Sequence, residues 1–311
     1  MTTALAGPMP STLEVGLGLA SRCSGAEAVA RAASIATSRL HGAAPDLALI
    51  VTAGSPVPDA GTHARSVLGP IQIAGGATAA ILTDDGPMKE GALVACVANA
   101  DGAASGVAAT AGRDLADAGK AAARLILSGW PFRARYPRGL GIAFARPATG
   151  DSALFLDSWR DFMGPKMRTV CGVLTSPVLY GGTPERPPFV SVACVEAPYS
   201  TGLGYTDVNG VEGTPSTDAL VHGAADATLT AVKRLDGRPA KLVLVIESAE
   251  RHAMLGDAAR TEWAAMRSQI DDATPCVGWL VHEVSAYGRG VQPTTARGSL
   301  VVVALGDAPR G

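Results

Sequence analysis

Glu283 stands in the run Val277-Gly-Trp-Leu-Val-His-Glu-Val-Ser, a carboxylate among apolar neighbours. A carboxylate taken out of water needs a cation or hydrogen-bond donors beside it, or it keeps its proton. Arg251, just beyond an apolar run that ends at Ile246, is the partner the sequence offers, and the pair would act as a structural salt bridge or as the clamp on a polar ligand. His282 and Cys276 lie on the same stretch and supply the side-chain types of an acid, a base or a nucleophile. A second set sits in Ile73-Ala-Gly-Gly-Ala-Thr-Ala-Ala-Ile, where Gly75 and Gly76 let the backbone approach a ligand or another strand closely and Thr78 adds a hydroxyl. A ligand held between the two stretches would meet Thr78 from one side and His282 or Glu283 from the other.

Other chemistry is not spelled out. His41, His63, His222, His252 and His282 form no H-x-x-x-H or other metal spacing, and no metal site is expected. A haem needs only one axial histidine, so haem stays open, with His282 as its candidate. Cys23, Cys96, Cys171, Cys194 and Cys276 are odd in number and form no C-x-x-C pair, which reads as free thiols in a core. The chain has no G-x-S-x-G elbow and no G-x-x-x-x-G-K-[ST] loop. Gly16 and Gly18 resemble the opening of a dinucleotide fingerprint that lacks its third glycine. Arg133, Arg135 and Arg138 fall in a proline-punctuated basic and aromatic loop, read as a solvated connection able to meet an anion.

The elements that must position these residues repeat. Ala26 to Leu40, Leu47 to Thr52, Gly61 to Leu68, Ile71 to Leu82 and Ala92 to Ala98 read as helix, strand, helix, strand, strand. Asp218 to Leu235, Leu242 to Ile246, Gly256 to Ile270, Cys276 to Val284 and Ser299 to Leu305 follow the same order. Short apolar runs alternating with helical-period segments predict an α/β fold, here two pseudo-repeated sheet-and-helix units packed together. A cleft between such units is a preferred ligand site. Ser24-Gly-Ala-Glu27 has the spacing of a capping box for the first helix. We expect a first unit over 12–111, a second over 216–307, and an intervening region, 112–215, that adds strands to both. In that region Asp114 to Ser128 and Asp151 to Met163 read as helices, and Gly139 to Ala145, Cys171 to Val178 and Val190 to Glu196 as strands.

Of the 311 residues 47% are hydrophobic, chiefly Ala, Val and Leu, and 17% are charged, the balance of a folded domain and not of a disordered chain. A formal charge of −2 with scattered Lys and Arg offers no basic face for nucleic acid or an anionic membrane. With no long apolar window and no cationic, apolar leader in the first ten residues, a soluble cytoplasmic protein is expected.

At these same segments the chain resembles the FIST sensory-domain family. The resemblance is carried by Pro45-Asp-Leu-Ala-Leu-Ile-Val-Thr-Ala, by Ile73 to Ile81 with Glu90-Gly-Ala-Leu-Val after it, and by Leu242-Val-Leu-Val-Ile-Glu-Ser-Ala-Glu-Arg251 with Val277 to Glu283. It implies a small-molecule-sensing module whose polar motif positions are matched by Arg251 and Glu283; together with Gly75, Gly76, Thr78 and His282 from the residue reading, these are the expected ligand contacts between the two units. Signal output would pass to a signalling protein in trans, and a homodimer is compatible. An enzyme using the same cleft through Glu283, His282 or Cys276, and a haem-based gas sensor, are the competing expectations.

Overall fold

Strand-forming runs and alanine-rich helices alternate along the chain. The computed structural model describes residues 13–21, 23, 25–100, 102–108, 114–129, 139–147, 151–181, 188–196, 199–208, 215–288 and 298–307. Ser24 of the capping box, the basic loop with Arg133, Arg135 and Arg138, and the N-terminal leader lie outside the described residues. The first unit runs β1 (Glu14–Ser21), α1 (Gly25–Ser38), β2 (Pro45–Ala53), α2 (Ala60–Leu68), β3 (Gln72–Thr78), β4 (Ile81–Thr83), β5 (Gly86–Met88) and β6 (Gly91–Ala98). It is followed by β7 (Gly102–Ala108), α3 (Leu115–Gly129), β8 (Gly139–Ala145), α4 (Ser152–Met163), β9 (Met167–Leu174), β10 (Leu179–Tyr180) and β11 (Val190–Glu196). The remainder is β12 (Ser200–Thr206), α5 (Thr217–Lys233), β13 (Ala240–Ser248), α6 (Ala249–Leu255), α7 (Ala259–Arg267), β14 (Cys276–Tyr287) and β15 (Leu300–Gly306).

The fold is α/β with two sheets, one of five strands in the order β1-β6-β2-β3-β10 and one of ten that contains β12-β15-β13-β14-β9-β8-β11-β7. Within them one strand order recurs three times: β1-β6-β2-β3, β7-β11-β8-β9 and β12-β15-β13-β14. In each, the first and second strands are antiparallel to the last, and the second is parallel to the third. The internal repeat therefore has three copies, and the intervening region is built as the middle one. By pairing, β7 belongs with that middle unit and β12 with the third, so the boundaries fall after Ala98 and after Glu196, earlier than 111 and 215.

A hand-over of strands closes the three units on one another. β4, which continues from β3, pairs antiparallel with β14 of the third unit. The far half of β14, beyond a bulge between Val281 and Glu283, pairs with β9 of the second. β10, which follows β9, pairs with β3 of the first. The core follows the same plan. Alternate residues of the second strands, Leu47 and Leu49, Leu140 and Ile142, Leu242 and Leu244, meet in one central cluster. The opposite faces carry three separate clusters, each between a sheet segment and its own unit's helices. Small residues set the spacing there. A Cβ on Gly18 would overlap the Ala32 carbonyl of α1, and one on Gly204 would overlap the Ala227 carbonyl of α5. The glycine pair at Gly16 and Gly18 is thus a seat for a helix, as are Gly202 and Gly204 in the third unit.

Candidate functional site

β13 alternates, as a strand must. Leu242, Leu244 and Ile246 point to the central cluster, whereas Val243 and Val245 point outward with Met266 of α7. Glu247 is the next residue on the outward face, so the pleat carries a carboxylate into apolar surroundings, where it is 2% exposed. Ser248 ends the strand and caps α6, its Oγ accepting from the Arg251 N–H at 3.2 Å. The short helix that follows carries Arg251 and His252.

Arg251 is completely buried. Its Nε donates to Glu262 Oε1 at 2.8 Å, Nη2 lies 2.8 Å from the same oxygen and donates to the Leu220 carbonyl at 2.6 Å, and Nη1 donates to the Gly298 carbonyl at 3.0 Å. Its ion-pair partner is therefore Glu262 of α7, not Glu283. His252 Nδ1 lies 3.3 Å from Glu247 Oε1, close enough for an ion pair but out of line for a hydrogen bond, and both atoms are buried without a hydrogen-bond partner. Glu247 beside it holds the His252 imidazole above its ordinary 6.5, against the opposing effect of burial; Glu262 adds to the rise and Lys89 subtracts. Burial, then the charge of Glu247, push Glu262 up to about 7 in spite of Arg251.

A cavity of about 200 Å³ opens over these groups. Its third-unit wall holds Glu247, His252, Ala259, Arg260, Glu262, Trp263 and Met266, and its first-unit wall is the β4–β5 hairpin from Leu82 to Pro87. Asp84 at the hairpin's turn ties the walls together: its Oδ1 accepts from Trp263 Nε1 at 2.9 Å and lies 3.3 Å from Arg267 Nε. The two comparable junctions are occupied by the chain's own side chains. Tyr180, brought to the first unit on β10, places its hydroxyl 2.5 Å from Thr52 Oγ1. Glu283, brought to the second unit on β14, accepts from the Ser152 N–H at 2.6 Å and from its Oγ at 2.5 Å at the start of α4.

The other residues singled out in the sequence have structural surroundings. Gly75, at φ 151°, packs so tightly that a Cβ would overlap the Ile50 carbonyl, and one on Gly76 would overlap Leu174. Both are close-packing glycines. Thr78 is buried and donates to the Leu280 carbonyl, with Thr175 Oγ1 3.4 Å away. His282 is exposed on β14, and burial pushes the Cys276 thiol up to about 12, which leaves it protonated and a poor nucleophile. So Arg251 alone of the six borders the cavity's charged wall, as the anchor of Glu262. Glu247, His252, Glu262, Trp263 and Asp84 escape a sequence reading because they come from three segments with no motif spacing; the one signal was Glu247 at the end of Leu242-Val-Leu-Val-Ile. Among the described residues no group of three or more His, Cys, Asp or Glu side chains is placed to hold a metal ion. No described helix is long and apolar enough to cross a membrane.

No family model and no curated protein matches the chain. Among solved structures it is similar to a cyanuric acid hydrolase from A. caulinodans, with 12% identity over 94% of this chain and 99% of that one and a TM-score of 0.47. It is also similar to PurLQS from Thermotoga maritima (12% identity, 95% and 72% covered, TM-score 0.29) and to phosphoribosylformylglycinamidine synthase II from the same organism (12%, 95% and 72%, TM-score 0.27).

Proposed function

We propose that the protein binds a small molecule in the cavity between the β4–β5 hairpin and the β13–α7 segment. The observation that carries this reading is Glu247, a 2%-exposed carboxylate on the cavity wall whose Oε1 accepts no hydrogen bond. A buried charge without donors is costly, and a ligand that supplies them removes the cost. The sensory form of this proposal, with output to a partner in trans, draws on the FIST resemblance and on the cavity lying between two units. A ligand touching both walls would bias how the hairpin sits on the third unit, which is what a signal requires. A thermal-shift screen of amines, amino acids, carboxylates, nucleotides and haemin tests it, since ligand at a hundred times its Kd stabilises by about 2.7 kcal/mol. A shift in the wild type that is lost in Ala259→Trp, which fills the cavity, supports the site; no shift with any class removes it.

A second reading has its own observation. Glu262, raised to about 7, and His252, raised above 6.5, face one cavity beside Glu247, an arrangement suited to proton transfer near neutrality. An enzyme would then act here, and not through Cys276, His282 or Glu283. Turnover of any screened compound that follows the protonation of Glu262 and disappears in Glu262→Gln would favour it.

A further inference from the structure

We infer that the ligand class of this cavity is a small organic cation, an amidinium or ammonium group on an apolar body; this rests on the cavity being a binding site at all. Four carboxylates line it, Asp84, Asp85, Glu247 and Glu262, against Arg260 and His252. Arg251 balances Glu262 but does not reach Glu247. Both of its contacts to Glu262 fall on Oε1, and the rest of its guanidinium is spent on the Leu220 and Gly298 carbonyls. Glu247 Oε1 has no hydrogen-bond partner, and the buried His252 Nδ1 3.3 Å away makes none to it, so the carboxylate is left for a better-placed donor. An anion placed there would lose its water against a buried carboxylate, whereas a planar amidinium would supply the missing N–H groups with charge to match. Leu82, Pro87 and Met266 line the same space and receive the apolar body.

His252 makes binding a competition. Its protonated ring is the only cation within ion-pair distance of Glu247 among the described residues, at 3.3 Å. The groups facing that ring are Glu247 and Glu262, which favour its proton, and Lys89, which opposes it. A bound cation takes over the partnership and favours the neutral ring, so ligand uptake releases a proton, and affinity falls as pH drops through the His252 titration. Protonation of Glu262 over the same range acts in the same direction.

The test uses the full chain in titration calorimetry with three isosteres: benzamidine, benzamide and benzoate. Benzamidine is expected to bind at least about tenfold more tightly than benzamide, with no heat from benzoate. Its affinity is expected to be higher near about pH 8 than near about pH 5.5, with proton release measured in buffers of different ionisation heat. Glu247→Gln, nearly isosteric, is expected to lose about tenfold or more; its circular dichroism melt verifies folding, and His252→Gln, which should shrink the pH dependence to the part owed to Glu262 while leaving benzamidine bound, reads the same idea without touching Glu247. Benzoate binding as tightly as benzamidine, or benzamidine affinity indifferent to Glu247→Gln, overturns the inference. If benzamidine fails while a screened compound of another class binds wild type and not Ala259→Trp, the cavity reading survives and the cation inference falls. If nothing binds, both fall.

Discussion

Arg251 joins three segments that sequence keeps apart: Glu262 on α7, the Leu220 carbonyl in α5 and the Gly298 carbonyl before β15. Removing it leaves a buried carboxylate and two carbonyls without their donor, so Arg251→Met is expected to cost about 3–5 kcal/mol in urea denaturation. Arg251→Lys should recover little, because an ammonium cannot reach three directions at once; full recovery would show that charge alone matters. Glu247 holds the imidazole beside it, so Glu247→Gln should bring the His252 titration down from its raised value, read from the ring resonances by NMR. A midpoint unmoved by that substitution would mean that Glu262 dominates. The sequence marked Arg251 as a buried partner of a carboxylate but gave it the wrong one. Periodicity says which face of an element a residue occupies; it does not say which distant element packs there.

At the scale of elements, the apolar runs Leu47 to Thr52, Leu242 to Ile246 and Gly139 to Ala145 were legible because their strands are buried on both faces. β7 and β12 were not, since Gly102-Ala-Ala-Ser-Gly-Val-Ala and Ser200-Thr-Gly-Leu-Gly-Tyr-Thr are poor in the branched side chains that announce a strand. The predicted strand from Ile71 to Leu82 divides into β3 and β4, because its second half leaves the first unit to pair with β14. Gly204 belongs to this scale, where a helix rests directly on a strand. Gly204→Ala is expected to destabilise by about 1–3 kcal/mol or more in denaturant, since backbone on both sides must yield. Gly256→Ala, with open space around it, tests only its left-handed backbone and should cost less. Equal costs would mean that the helix seat gives way easily. Tyr180→Phe removes the hydroxyl held by Thr52 and should cost about 0.5–1.5 kcal/mol.

For the molecule as a whole, the site imposes a sign on stability against pH. Glu262 is raised from 4.5 to about 7, so the folded chain holds that proton more tightly than the unfolded chain. Its stabilising contribution is complete below 4.5 and is lost as pH rises through about 7. His252, raised above 6.5, contributes fully below 6.5 and loses its contribution as pH rises through its folded value. The stability of wild type relative to Glu262→Gln should therefore decline from about pH 4.5 to above 7 in denaturant titrations at a series of pH values; a rising difference would mean that Arg251 outweighs burial. Repetition was visible in the sequence as a first and a last copy. The middle copy was hidden because its strand order, and not any shared residue pattern, is what it has in common with the others.

The hand-over of strands has a consequence during synthesis. When the first unit leaves the ribosome, β3 has no β10 beside it and the β4–β5 hairpin has no β14 to rest on. Its central face, carrying Leu47 and Leu49, waits for partners in the second and third units, Leu140 and Ile142 and then Leu242 and Leu244. Nascent chains halted before Cys276 should thus be open to protease and to chaperones that hold apolar strands, and protection should arrive late and all at once. The cavity over Glu247 exists only once the third unit has followed the first, because each supplies one of its walls. A compound that binds it would act on newly made chains as well as finished ones, drawing the first and third units into their closed arrangement.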